Sequence, residues 1–319
     1  MAIRSNLKEI SKNNLFKKVT KSIKFRNLNN TSLFELFNLL LKGISARTFA
    51  MRVGAVSWAF FFSLFPFLLF LFSVLPYAPM YQEISTLLFS EFIPRILPER
   101  ITNEVISYIS ETADGKSGRS IGYLFIILTI LLSSNGITVM INGFNASHYG
   151  YAIRRRGIHN RFISVILTIF FVVFIIAQLI FTYYTSFAWS YIEHYGVLVE
   201  TPIFLRILNF LSATLFYFTS LVMLYYYGTN IKQRFRNVAP GAIMATILFF
   251  VTLMGFNYYI KKFNYYDLLY GSVGLVMIMM VFIYINVLLI MIGFELNAAI
   301  HYAKTTSPTE RASKVKEKA

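Results

Sequence analysis

Cysteine is absent from the 319 residues, and acids are scarce: 14 Asp and Glu stand against 30 Lys and Arg. Without a thiol, disulfide frameworks and thiolate metal sites are excluded. Charged residues are only 14% of the chain, against about 25% in an ordinary soluble domain. So few charges cannot cover the surface of a soluble globule this apolar, and a disordered chain is excluded by the same composition. What is present instead is hydrophobic: 56% of residues, with 33 Phe and 21 Tyr. These proportions leave one class, the integral membrane protein.

Six stretches are long and apolar enough to cross a hydrocarbon core of about 30 Å, which takes roughly 20 helical residues. They fall near 53–77, 121–147, 162–187, 203–227, 238–260 and 270–299. Apolar residues run on without a two-residue alternation, so the spans are helices and not barrel strands. The fold class expected is an all-α membrane protein with a six-helix domain over 53–303. The polar, basic start and the late, long first apolar run do not read as a signal peptide. Of the 30 Lys and Arg, 23 lie in 1–52, 148–161, 228–237 and 300–319, and 7 in the alternate segments. The positive-inside rule then puts both termini in the cytoplasm. This bias accounts for the net charge of +16, and nucleic acid is not an expected partner.

Outside the spans, residues 1–30 form a basic tail carrying Lys8, Lys12, Lys17, Lys18, Lys21, Lys24 and Arg26. It is either a mobile tail or a segment drawn to anionic lipid, at about 1 kcal/mol per basic residue near the surface. Over 31–52, Ser32 and Glu35 form a capping box, and Leu33, Leu36, Phe37, Leu40 and Ile44 share one helical face. That pattern predicts an interfacial amphipathic helix leading into the first span. The segment 78–120 holds two weakly amphipathic pieces separated by Pro94 and Pro98, and 304–319 is a second basic tail.

Polar groups inside a span are costly unless paired, so each needs an account. Ala55, Ala59 and Ser63 repeat every four residues and make a close-packing stripe on the first span. Pro66 frees a backbone carbonyl there and predicts a bend of more than about 20°, either a structural kink or a hinge. The second span carries Ser133, Ser134, Asn135 and Gly136, then Asn142, Gly143 and Asn145. Its amides lie within about one helical face, as interhelical glue or as a polar track for a head group or ion. The sixth span ends with Gly293-Phe294-Glu295-Leu296-Asn297-Ala298, and Glu295 is the only acid in any of the six stretches. Arg206, the one basic residue inside them, is close enough to an end to snorkel.

Catalytic signatures are lacking. There is no phosphate-cradling glycine loop and no serine elbow, and His148, His159, His194 and His301 have no metal-ligand spacing. Neither an enzyme, a metal nor a cofactor is expected.

Over about 45–303 the chain resembles the YihY/BrkB family of bacterial inner-membrane proteins. The likeness rests on Trp58-Ala59-Phe60-Phe61-Phe62-Ser63-Leu64-Phe65-Pro66, the stretch from Ser134-Asn135-Gly136 to Asn145, and Arg155 or Arg156 followed by Arg161. Tyr270-Gly271-Ser272 and the Gly293 to Ala298 run complete it. Family members often carry acids just before the first span, where this chain has Met51-Arg52-Val53-Gly54, and commonly Trp where it has Phe282. The resemblance implies six helices, both termini inside, and an envelope role that includes serum resistance in some members and a link to lipid export. Members have also carried a ribonuclease BN label, for which this sequence offers no metal cluster or general acid–base set.

Two functions follow. One is transport or export of a lipid or other amphiphile through a polar intramembrane cavity built from Ser134, Asn135, Asn142, Asn145, Glu295 and Asn297. The other is a non-transporting scaffold for envelope assembly, in which the same groups are helix glue; no protein partner is named by the sequence. If the inner ends of the first, second and sixth spans adjoin, Glu295 meets Arg47, Arg52, Arg155, Arg156 and Arg161 at one depth. A carboxylate in apolar surroundings needs a partner, so Glu295 is expected within about 4 Å of an arginine or bonded to an asparagine. Arg52 is the first choice, since it stands where the family often has an acid.

Overall fold

The computed structural model describes residues 24–25, 31–74, 119–147, 157–194, 202–229, 235–262 and 266–306. Two short strands, β1 (Lys24–Phe25) and β2 (Thr31–Ser32), pair antiparallel with Phe25 opposite Thr31. Seven helices follow among the described residues: α1 (Leu33–Ser45), α2 (Arg47–Val74), α3 (Arg119–Asn145), α4 (Gly157–His194), α5 (Pro202–Gly228), α6 (Phe235–Lys262) and α7 (Tyr266–Thr305). All but α1 are long and apolar enough to cross a membrane, with candidate spans Thr48–Leu71, Leu124–Asn145, Gly157–Thr185, Ile203–Gly228, Phe235–Phe256 and Val276–Thr305. The chain is thus an all-α, multi-pass membrane protein.

The expected interfacial helix over 31–52 is shorter than its pattern. Ser32 Oγ accepts from the Glu35 N–H at 3.2 Å, and Glu35 accepts from the Ser32 N–H at 3.3 Å, so the capping box forms as read. The helix stops at Ser45, however, and residues 47–52 open α2. The break is at Ala46, whose extended backbone ends α1, and Arg52, which hydropathy marks as a boundary, is only 9% exposed within α2. The third span starts early in the same way, at Gly157 and not at 162, bringing Arg161 inside it. The rest of the 1–30 tail, the amphipathic pieces of 78–120, the 307–319 part of the second basic tail, and Arg155 and Arg156 lie outside the described residues, as does the Arg47 side chain.

The chain divides into two units: residues 1–58, 139–156 and 221–319, and residues 59–138 with 157–220. In the first, α7 packs along α6 and α1. Its core is Val53 and Val56 of α2, Met140, Ile141 and Phe144 of α3, Tyr225 of α5, Ala242 and Ala245 of α6, and Met291 and Phe294 of α7, all but buried.

In the second unit, Phe70 and Leu71 of α2 meet Val172 and Ile176 of α4, with Ile126 and Ile130 of α3 against them. Ser63 and Gly136 form a close crossing: the Gly136 N–H donates to Ser63 Oγ at 2.8 Å, and a Cβ on Gly136 would lie 3.2 Å from that oxygen. Small residues let helix backbones approach like this, and Ser63 belongs to the stripe read on the first span. Between α4 and α5, Gln178 donates to Ser212 at 3.1 Å and Thr185 to Asn209 at 3.0 Å. Helix α2 continues through Pro66.

Candidate functional site

The first unit is organised around a carboxylate. Glu295, 0% exposed on α7, accepts from Arg52 Nη2 of α2 at 2.8 Å through Oε1 and from Ser147 Oγ at 2.8 Å through Oε2. Arg52 Nη1 donates to the Gly143 carbonyl of α3 at 2.9 Å, and its guanidinium carbon lies 5.5 Å from the Phe49 ring centre. Ser147 lies two residues beyond α3, so three stretches of chain converge on one pair. Charge-assisted bonds of this length are the strong kind. The Nε–H of Arg52 has no hydrogen-bond partner among the described residues.

Sequence explains how these groups meet. Gly143 lets α2 and α7 come close: a Cβ there would lie 3.2 Å from Val56 and 3.5 Å from the Met291 methyl. One residue on, Phe144 stacks on Phe294 with centroids 4.3 Å apart and meets Tyr225 edge-on at 5.7 Å. Tyr225 donates to the Ile290 carbonyl at 2.8 Å. The pair is buried, with Glu295 0% and Arg52 9% exposed, so its mutual attraction is strengthened and the cost of losing either partner is large.

A second constellation lies beside it on α6 and α7. Asn297 Oδ1 accepts from the Gly241 N–H at 2.8 Å, and its Nδ2 donates to the Val238 carbonyl at 2.8 Å. Pro240 sits between these residues and has no N–H to offer the helix, so the side-chain amide secures backbone that proline has loosened. The two helices touch through glycine. A Cβ on Gly241 would collide with the Gly293 carbonyl, and one on Gly293 would lie 2.5 Å from the Tyr225 hydroxyl and 2.6 Å from the Gly241 carbonyl. Lys304 also bonds Asn237 at 2.7 Å.

The residues expected to share one cavity therefore have different settings. Glu295 and Asn297 are buried in the first unit; Glu295 is committed to Arg52 and Ser147, and Asn297 is spent on the α6 backbone. Asn142 is exposed, and Asn145 is half-buried with its Nδ2 lacking a partner among the described residues. In the second unit, Ser134 is buried with its hydroxyl on the Leu131 carbonyl, while Asn135 is exposed. Of the expected arginine partners, Arg52 meets Glu295. Arg161 instead donates to Asn135 Oδ1 and Thr138 Oγ1 at 3.4 Å each and to the Leu131 carbonyl. Sequence reasoning missed Ser147, Gly241 and Pro240. Ser147 carries no signal of its own, but a proline six residues into α6 followed by glycine marks a place where another element must supply a hydrogen bond. Among the described residues no three His, Asp or Glu side chains are grouped so as to hold a metal ion.

Known proteins were compared with the chain. A family model described as virulence factor BrkB matches residues 40–318. The ribonuclease-like protein YfkH of Bacillus subtilis (strain 168) is 27% identical over 256 residues, 79% of this chain and 90% of that one. A UPF0761 membrane protein of Pseudoalteromonas atlantica is 26% identical over 257 residues, 78% of this chain and 80% of its own length. Another, from Pseudoalteromonas translucida, reaches 38% identity over 79 residues, about a quarter of each chain. No solved structure matches.

Proposed function

The chain belongs to the virulence factor BrkB family, and from that premise we propose that it moves a lipid or other amphiphile across the bacterial inner membrane, with both termini in the cytoplasm. The observation that carries this reading is the Arg52–Glu295 pair. Glu295 is the only acid in the six spans, it is fully buried, and it ties α2, α7 and the end of α3 together. Helices can be glued more cheaply: a buried ion pair is a poor source of net stability, because desolvation offsets most of the attraction. Such a pair is well suited to hold one of two arrangements, since breaking it changes the balance by several kcal/mol at one stroke. The exposed amides of Asn135 and Asn142 support contact with a passing head group.

A second reading, a non-transporting scaffold, is favoured by the tightness of the α6–α7 crossing, where Gly241, Gly293 and Asn297 leave little freedom. A nuclease reading, prompted by the name of YfkH, has less support, because the one buried carboxylate among the described residues is already committed to Arg52 and Ser147.

Reconstituted vesicles separate the first two. Purified protein in phosphatidylglycerol-containing liposomes, with a fluorescent lipid quenched from outside, should move lipid between leaflets faster than protein-free vesicles. Glu295→Gln should change that rate. Rates equal to protein-free vesicles for the natural chain would favour the scaffold.

A further inference from the structure

In the second unit Arg161 is a cation with no acid beside it among the described residues. Arg161, in the first two turns of α4, donates to the Leu131 carbonyl, Asn135 Oδ1 and Thr138 Oγ1 of α3. All three acceptors are neutral, and two of the bonds are long at 3.4 Å. A guanidinium has five N–H donors, so the three contacts leave capacity for another acceptor. No Asp or Glu occurs anywhere between residues 115 and 192. The one salt bridge among the described residues is Arg52–Glu295. A guanidinium inside a span needs an anion or water beside it.

The surroundings say what kind of anion fits. Asn135 is exposed, and with its oxygen turned to Arg161 its amide N–H groups face outward as further donors. On α3 the exposed positions described before it are Leu124, Ile127, Leu128, Leu131 and Leu132. On α4, Ile158, Phe162 and Ile166 are exposed around Arg161. A polar cationic seat thus lies at the end of an apolar surface, with spare N–H donors and no acid beside it among the described residues. That is the complement of an oxyanion joined to hydrocarbon chains.

We propose that Arg161, Asn135 and Thr138 form a binding site for the phosphate of an anionic glycerophospholipid whose acyl chains lie along Leu128, Leu131, Phe162 and Ile166. The Arg161 fork takes two phosphate oxygens, Asn135 Nδ2 donates to a third acceptor, and Thr138 holds the guanidinium in plane. Choosing a lipid as ligand rests on the amphiphile reading above. Binding is measured without any transport, so a chain that holds the lipid but moves none would overturn that reading alone.

Native mass spectrometry of the full chain titrated with phosphatidylglycerol in detergent tests the site, with sn-glycerol 3-phosphate as the soluble phosphate. One tight lipid equivalent is expected on the natural chain. Arg161→Gln should weaken it about tenfold, as loss of a charge-assisted pair does. Asn135→Ala should weaken it less, and Arg206→Gln, at an exposed arginine of the same unit, should leave it unchanged. An equal concentration of glycerol 3-phosphate should not displace the lipid. Unchanged binding in both Arg161→Gln and Asn135→Ala would overturn the proposal. So would an equal loss in Arg206→Gln, which would mean general charge attraction, or displacement by glycerol 3-phosphate, which would mean a site for free anions. If Arg161→Gln fails to fold, Asn135→Ala decides, because that side chain is exposed.

Discussion

Arg52 and Arg161 have similar settings in sequence: each is a base in the first two turns of a long apolar helix. The protein uses them in opposite ways. Arg52 is buried against a carboxylate 243 residues away, with a serine completing the acid and the Phe49 ring beside the guanidinium. Arg161 is half-exposed and, among the described residues, meets only neutral acceptors on α3. A base at the start of a span can thus be part of the protein's own lock or an open seat for something from outside. What decides between them is whether an acid has been placed in reach.

The largest test of this contrast is at the lock. Glu295→Leu leaves the Arg52 guanidinium buried without its partner and should cost about 3–5 kcal/mol of stability, read as a loss of folded protein on heating in detergent. Glu295→Gln keeps hydrogen-bonding atoms in place and should lose less. The crossing beside it comes next. Gly241→Ala drives a methyl into the Gly293 carbonyl and should cost about 1–3 kcal/mol, although alanine is the better helix former. Asn297→Ala removes both bonds to the α6 backbone and should cost about 1–2 kcal/mol, the smaller scale of interhelical bonds in membranes. At the open seat the effect on stability should almost vanish. Arg161→Gln should stay within about 0.5 kcal/mol of the natural chain in lipid-free detergent, as exposed substitutions do. A loss as large as that of Glu295→Leu would make Arg161 a structural residue and erase the contrast.

Much of this architecture was legible before any coordinates. Long apolar runs announce spans because the bilayer demands about 20 helical residues, and the Ser32–Glu35 box announces α1 because both halves of it lie within one turn. Two of the apolar helices run past an arginine that hydropathy marks as a boundary. Hydropathy scores a residue alone and marks an arginine as the end of a span, whereas Arg52 is inside because Glu295 is opposite it. The pairing could be anticipated from Glu295, whose isolation among six apolar stretches required a partner. The companions could not. Nothing local marks Ser147, and the Gly241–Gly293 contact depends on how α6 and α7 cross, which periodicity does not encode. Of the second-span amides, which share a face in projection, Asn135 and Asn142 are exposed and Asn145 is half-buried.

The central claim is that Arg52 and Glu295 act as one buried unit, and a double-mutant cycle measures it most directly. Arg52→Met, Glu295→Leu and the double variant would be purified alongside the natural chain and their unfolding free energies compared in the same detergent. Each single variant strands a buried polar partner, so the double should be more stable than the sum of single losses allows, with a coupling of about 2–3 kcal/mol. Strictly additive losses would contradict the account and reduce the pair to two neighbours that happen to touch.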